Sequence, residues 1–185
     1  MPGLLSIIRK SKAKEKQLRV LMVGLDNAGK TTVVRKLANE SIGDIPPTLG
    51  FNIRTMHHQG YTLNIWDVGG QKSLRPYWRN YFEETEALVW VVDSSDHRRL
   101  RDCAYELHSL LGEEKLAGSS LLVFANKQDV SGALPPDEIS RMLGLDDIGN
   151  RHCTIVSCSA MTGDGLGEGF DWVVHDAGQR LYLLQ

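Results

Sequence analysis

The residues best equipped for chemistry form one run, Gly24-Leu25-Asp26-Asn27-Ala28-Gly29-Lys30-Thr31-Thr32. Apolar Val20-Leu21-Met22-Val23 precedes it, and Val33, Val34 and Leu37 follow at helical spacing. A strand, a glycine loop and a helix form the context in which G-x-x-x-x-G-K-T curls backbone N–H groups around phosphate oxygens. The helix adds unpaired N–H groups and the positive end of its dipole. Lys30 is placed to reach terminal phosphates as a point charge, and the Thr31 hydroxyl to ligate Mg²⁺. The alternative, a glycine turn capping an ordinary helix, leaves the in-register Lys-Thr pair unexplained.

Three further runs carry complementary chemistry. Asp67-Val68-Gly69-Gly70-Gln71 follows a strand-like run ending at Trp66. Its carboxylate suits Mg²⁺ held through water, Gly70 lets a backbone N–H approach a γ-phosphate, and Gln71 is placed to orient an attacking water. In Pro47-Thr48-Leu49-Gly50, Thr48 completes the Mg²⁺ shell only if its loop closes over the γ-phosphate, and a loop released on hydrolysis is a switch. In Asn126-Lys127-Gln128-Asp129, the Asp129 carboxylate suits guanine N1–H and the exocyclic N2 amine, donors that adenine lacks. A site built to pair such donors rejects the analogue without them by orders of magnitude. Asn126 is expected to brace the loops and the Lys127 stem to lie along the base. Cys158-Ser159-Ala160 offers backbone N–H groups to guanine O6, whereas Gly163-Asp164-Gly165-Leu166-Gly167, with no strand immediately before it and no lysine after, reads as a loop and helix start. The histidines receive no metal or catalytic role.

The elements that must position these residues alternate between strand and helix. Residues 51–58 and 61–66 flank Gln59-Gly60 and predict a hairpin. Runs 87–92 and 121–125 are unbroken apolar, as in strands covered on both faces. Leu100, Cys103, Ala104, Leu107, Leu110 and Leu111 predict a helix between them; Leu166, Phe170, Val173, Val174, Ala177 and Leu181 predict another after a strand at 154–156. The fold class is α/β: a doubly wound, mostly parallel six-stranded sheet with one antiparallel hairpin strand and helices on both faces. In such folds ligands bind beyond the strand C-termini, where every run above falls.

The bulk properties narrow the function classes. A chain of 185 residues, 42% hydrophobic and 24% charged, suits one soluble domain. A net charge of −2 gives no general case for nucleic acid or an acidic membrane. Cys103, Cys153 and Cys158 lack C-x-x-C spacing and read as reduced thiols of an intracellular protein. No signal peptide, membrane span or C-terminal prenylation cysteine is visible. Residues 1–17 stand apart as an amphipathic, basic helix ahead of the main domain at 18–185: Leu4, Leu5, Ile7 and Ile8, then Arg9, Lys10, Lys12, Lys14 and Lys16. Such a stretch docks in a groove of its own domain, lies on a membrane surface, or stays a solvated tail.

Together these motifs resemble the Arf and Arf-like small GTPases over nearly the whole chain. The resemblance runs through 24–32, 47–55, 66–82, 91–96, 124–129 and 158–165. It implies a P-loop GTPase, a monomer that cycles between GDP and GTP with Mg²⁺. It also implies a hairpin that shifts register on GTP binding and displaces the N-terminal helix. The implied partners are exchange and GTPase-activating proteins, carriers of lipid-modified cargo and tubulin-folding cofactors. The expected location is the cytoplasm, with the cytoskeleton as a further site. Family members commonly begin Met-Gly and are myristoylated; this chain begins Met1-Pro2-Gly3, so at most weak, reversible membrane contact is expected.

Two other function classes share parts of this pattern. A P-loop kinase or ATPase shares the glycine loop but leaves Asn126–Asp129 and Gln71 without a purpose. A module that holds GTP without turnover has no use for Thr48 and Gln71 together. With no arginine finger recognisable in cis, hydrolysis is expected to be slow unless a partner supplies the charge.

Overall fold

The structure, a computed structural model, describes residues 3–183, without the side chains of residues 9, 12–14 and 182. Six strands form one sheet: β1 (Gln17–Val23), β2 (Phe51–His58), β3 (Tyr61–Val68), β4 (Ala87–Asp93), β5 (Ser120–Asn126) and β6 (Cys153–Ser157). Their order is β2-β3-β1-β4-β5-β6; β2 runs antiparallel to β3 and every other pairing is parallel. The helices are α1 (Leu4–Glu15), α2 (Lys30–Leu37), α3 (Leu100–Leu111), α4 (Pro136–Leu143) and α5 (Leu166–Leu183).

The unbroken apolar runs have the environment their composition demands. Ser120–Asn126 is buried throughout, as is Ala87–Val92, because helices cover both faces. One core layer gathers Val33 and Val34 of α2 with Phe170, Val173 and Val174 of α5; the other gathers Leu107 and Leu110 of α3 with Ile139 and Leu143 of α4. The chain leaves β1 for one face and β4 for the other, which opens a crevice beyond their C-terminal ends.

The hairpin closes at Gln59 and Gly60, with φ of +46° and +78°, and pairs His58 with Tyr61. Positive φ at both central residues is the two-residue turn that matches strand twist. Strand β3 runs two residues beyond its expected end, so Asp67 lies within the strand, paired with Met22 on one side and Asn52 on the other. Helix α4 was not anticipated, although its signals are present: Pro136 at the first turn, Asp137 and Glu138 after it, and left-handed Gly144 at its end.

Helix α1 forms, but the groove expected to receive its apolar side takes only part of it. Leu5 and Ile8 line a cavity of about 250 Å³ with Ala177 and Leu181 of α5. Leu4 and Leu5 stay 74% and 65% exposed, and Ile7 53%. Lys16 stands 5.9 Å over the Tyr61 ring. Pro2 and the side chains of Arg9, Lys12 and Lys14, which belong to the same expectation, lie outside the described residues, as do Leu184 and Gln185.

Candidate functional site

The glycine loop leaves β1 at Val23 and enters α2 at Lys30, beyond the strand ends. Gly29 has φ of +100°, and a Cβ there would stand 2.4 Å from Asn126 Nδ2. Only glycine allows that turn and that approach. The first N–H groups of α2, on Lys30, Thr31 and Thr32, have no intrahelical partner and take no backbone acceptor among the described residues. They open onto a cavity of about 240 Å³ lined by the loop, by Ile45–Thr48 and by Gly69–Gln71.

Lys30 is buried and its Nζ donates to the carbonyls of Gly24 (3.0 Å) and Leu25 (2.9 Å). Burial pushes its ammonium down to about 8, against the attraction of Asp67 and Asp26. A buried cation short of anionic partners at the floor of a cavity is suited to phosphate oxygens. Gly70 closes the opposite wall: a Cβ there would stand 2.2 Å from Gly24 O and 2.6 Å from Lys30 Nζ, so any side chain would fill the cavity floor.

Three oxygens converge beside Lys30. Thr31 Oγ1 donates to Asp67 Oδ2 at 2.6 Å and lies 2.9 Å from Thr48 Oγ1. Asp67 is 1% exposed, and its Oδ1 is buried without a hydrogen-bond partner. Burial raises its carboxyl above the usual carboxylate range, against the Thr31 hydrogen bond and the Lys30 charge. An orphaned buried carboxylate oxygen next to two hydroxyls is an all-oxygen donor set that fits Mg²⁺. Among the described residues no cluster of three or more His, Cys, Asp or Glu side chains offers another metal site.

A smaller cavity of about 90 Å³ adjoins the first, sharing Gly29 and Thr32 and walled by Asn126, Lys127, Asp129 and Ala160. Asn126, 1% exposed, joins three segments: Nδ2 donates to Ala28 O at 2.9 Å, while Oδ1 accepts from the Ala160 N–H at 2.9 Å and the Cys158 thiol. Asn126 thus ties Ala28 of the glycine loop and the 158–160 segment to the end of β5. Asp129 accepts from Ser159 Oγ at 2.6 Å, and Lys127 Nζ reaches Asp93 Oδ2 at 2.7 Å.

The predicted residues thus gather at one end of the sheet, in two layers. Asn27, Gly29, Lys30, Thr31, Thr32, Thr48, Gly70 and Gln71 line the larger cavity; Asn126, Lys127, Asp129 and Ala160 line the smaller. Gly24, Leu25, Ala28, Asp67 and Ser159 stand behind them, as the carbonyls, the carboxylate and the hydroxyl that hold the wall. Asp26 lines the larger cavity, and its carboxylate accepts from Arg99 at 2.8 Å. Sequence reasoning did not single out Asp93, Arg99, Arg75 or Trp78. Arg75 and Trp78 lie in the stretch 66–82 and Asp93 in 91–96, which carry the resemblance but give these residues no role; Arg99 lies in neither.

The sequence model of the ADP-ribosylation factor family matches residues 4–177. ADP-ribosylation factor-like protein 2 of Arabidopsis thaliana is 66% identical over 183 residues, covering 98% of this chain and 99% of the relative. The protein of the same name from Dictyostelium discoideum is 59% identical over 182 residues, with the same coverage. Among solved structures, the Arl6 BBS3 small GTPase from Trypanosoma brucei, with bound nucleotide analogue GppNp, superposes with a TM-score of 0.81 at 34% identity, over 88% of this chain and 98% of that one. The fold is that of a P-loop GTPase, and the chain belongs to the ADP-ribosylation factor family of small GTPases, which bind and hydrolyse GTP.

Proposed function

We propose that the chain is a Mg²⁺-dependent switch that reads the terminal phosphate of GTP through Thr48 and hydrolyses GTP slowly. The observation that carries this reading is the meeting of Thr31, Thr48 and Asp67 at hydrogen-bond distances. It joins the glycine loop, the 45–50 loop and the end of β3 at one point. Whatever occupies that point decides whether the Thr48 loop stays closed.

In this reading Lys30 and the α2 N–H groups bind the phosphates, and the Gly70 N–H meets the γ-phosphate. Thr31 and Thr48 ligate Mg²⁺ directly, with Asp67 held through water. The metal, when bound, neutralises charge on the β- and γ-phosphate oxygens. Gln71, on the cavity wall, orients the attacking water. Asp129 pairs the guanine edge, Lys127 lies along the base, and Ser159 and Ala160 close the pocket toward O6. Arg75 and Arg99 adjoin the loop but direct their N–H groups to Gly70, Asp26, Asp96, Asp102 and Glu106. Neither lines the phosphate cavity. This supports slow turnover and a charge supplied by an activating protein.

The stretch 1–17 acts as an arm on the domain 18–185, its helix ending at Glu15 while Gln17 already pairs with Thr62 as the first residue of β1. Leu5 and Ile8 over the cavity beside α5 support an arm that seats deeper with GDP and is released with GTP. A single amphipathic helix binds bilayers reversibly, and a cytoplasmic monomer is the reading this supports. No helix among the described residues is long and apolar enough to cross a membrane. Carriers of lipid-modified cargo and tubulin-folding cofactors are the partner classes that follow from the resemblance, with exchange factors beside them. Two assays on the purified chain test this reading: competition of GTP, GDP and ATP for the site, and phosphate release with Mg²⁺ present or chelated. Guanine-selective binding with slow, Mg²⁺-dependent release is the expected result; ATP competing equally would overturn it. A pull-down compared between GTP- and GDP-loaded protein tests the partner classes.

A further inference from the structure

A 3-10 turn, Arg75–Tyr81, follows the loop that carries Gly70 and Gln71. Its two buried side chains, Arg75 and Trp78, both turn back onto that loop. The Trp78 indole N–H donates to the Gly69 carbonyl at 2.9 Å, and Arg75 Nε–H donates to the Gly70 carbonyl at 3.0 Å. The Asp26 N–H of the glycine loop reaches the same Gly70 carbonyl at 3.1 Å.

A peptide unit is planar and trans, so its N–H points opposite to its C=O. Fixing the Gly69 carbonyl on Trp78 turns the Gly70 N–H the other way. Fixing the Gly70 carbonyl on Arg75 and Asp26 does the same for the Gln71 N–H. Gly69, Gly70 and Gln71 all line the phosphate cavity, and no backbone acceptor among the described residues takes the Gly70 N–H.

Arg75 is itself braced from behind. Its Nη1 donates to Asp102 Oδ2 and Glu106 Oε1, each at 3.1 Å, and these carboxylates stand one turn apart on α3. Its Nη2 lies 3.5 Å from Asp26 Oδ1, and its side chain is 5% exposed. An arginine that merely tied the 3-10 turn to α3 would not need to direct Nε at Gly70. The planar fork serves both ends at once, which a lysine cannot do.

We infer that Arg75 is a positioning residue for the terminal phosphate: braced on Asp102 and Glu106, and aided by Trp78, it holds the Gly69–Gln71 backbone so that the Gly70 amide faces the cavity. The inference rests on the nucleotide reading above and adds a route from α3 to the phosphate cavity. Its signature is selectivity. GDP lacks the phosphate that meets Gly70, and Arg99 holds Asp26 at 2.8 Å through two contacts without help from Arg75.

The test uses the full chain with Mg²⁺, measuring dissociation constants for GDP and for a non-hydrolysable GTP analogue. Arg75→Lys keeps the cation among the carboxylates but removes the Nε donor. Asp102→Asn with Glu106→Gln leaves Arg75 intact and removes its brace at the surface of α3. Arg75→Lys is expected to weaken the GTP analogue on the order of ten- to hundredfold, the loss typical of a hydrogen bond with a charged partner, and to leave GDP unchanged. The double variant shifts the same way by less, and decides the matter alone if Arg75→Lys does not fold. Equal losses for both nucleotides, or no loss for either, would overturn the inference. An unmutated chain that bound neither nucleotide would instead overturn the nucleotide reading on which it rests.

Discussion

The Thr31 and Thr48 hydroxyl oxygens lie 2.9 Å apart across 17 residues of sequence, with Asp67 2.6 Å from the first. One hydroxyl lies in the first turn of a helix and the other in an irregular loop, so their contact brings the Thr48 loop against the start of α2.

Replacing Thr31 by Asn should weaken GTP more than GDP, because a metal held by Thr31 would neutralise charge on the γ-phosphate, which GDP lacks. Changes around a metal typically cost roughly 10- to 100-fold, and the GTP loss is expected in that range. Thr48→Ala should affect GTP alone. Binding titrations of both nucleotides with each variant provide the check, and matching losses for Thr31→Asn would show that Thr31 is not a metal ligand.

Base selectivity should follow Asp129. An amide at that position keeps an acceptor for N1–H, loses the acceptor for the guanine N2 amine, and gains there a donor suited to the C2 oxygen of xanthine. Asp129→Asn is expected to weaken GTP by several orders of magnitude, roughly 10⁴-fold, and to admit xanthosine triphosphate. Unchanged GTP affinity in a competition assay would remove Asp129 from the base pocket.

Asp93 should matter equally to both nucleotides. It holds Lys127 Nζ at 2.7 Å and accepts from the Ser95 N–H and hydroxyl. Burial alone would raise its carboxyl, but the bonds from Lys127 and Ser95 outweigh burial and keep it below the usual carboxylate range. Asp93→Asn would release Lys127, the residue proposed to lie along the base, and affinity for GDP and GTP should fall together by about tenfold. A loss confined to GTP would mean that Asp93 acts on the phosphates instead.

The pH dependence of stability should contain a term from Asp176. Burial would raise this carboxyl, but hydrogen bonds from Ser120 and His152 and the Arg180 charge hold it below the usual range. A depressed folded value gives stabilisation that is complete above the unfolded value, about 3.9, and is lost as pH falls through the folded value. Asp176→Asn should lower the urea midpoint at neutral pH, and its deficit should shrink as pH drops below about 4. A deficit that stayed constant down to acid pH would assign the loss to packing.

The parts of the site that were legible in the sequence are those where backbone geometry dictates residue type. Gly29 must turn with positive φ beneath Asn126, Thr31 must open a helix, and Asp129 must follow a buried strand at fixed distance; each demand is written as a residue at a spacing. Side chains that converge from separate elements left no such trace. Arg75 meets Asp102 and Glu106 from 27 and 31 residues away, and Arg99 meets Asp26 from 73. Such pairs become neighbours only through the strand order. The sheet itself was legible because β4 and β5 are buried on both faces, whereas α4, only eight residues long, shows its two core residues, Ile139 and Leu143, at a single i, i+4 step.

The central claim is that the terminal phosphate closes the Thr48 loop and frees the N-terminal arm. Hydrogen exchange of the full chain, loaded with GDP or with a non-hydrolysable GTP analogue and without any partner, tests it most directly. The account predicts slower exchange across 45–50 with the GTP analogue, where Thr48 is held against Thr31, and faster exchange across 4–12, where Leu5 and Ile8 leave the cavity beside α5. Identical exchange in both segments for the two nucleotides would contradict it.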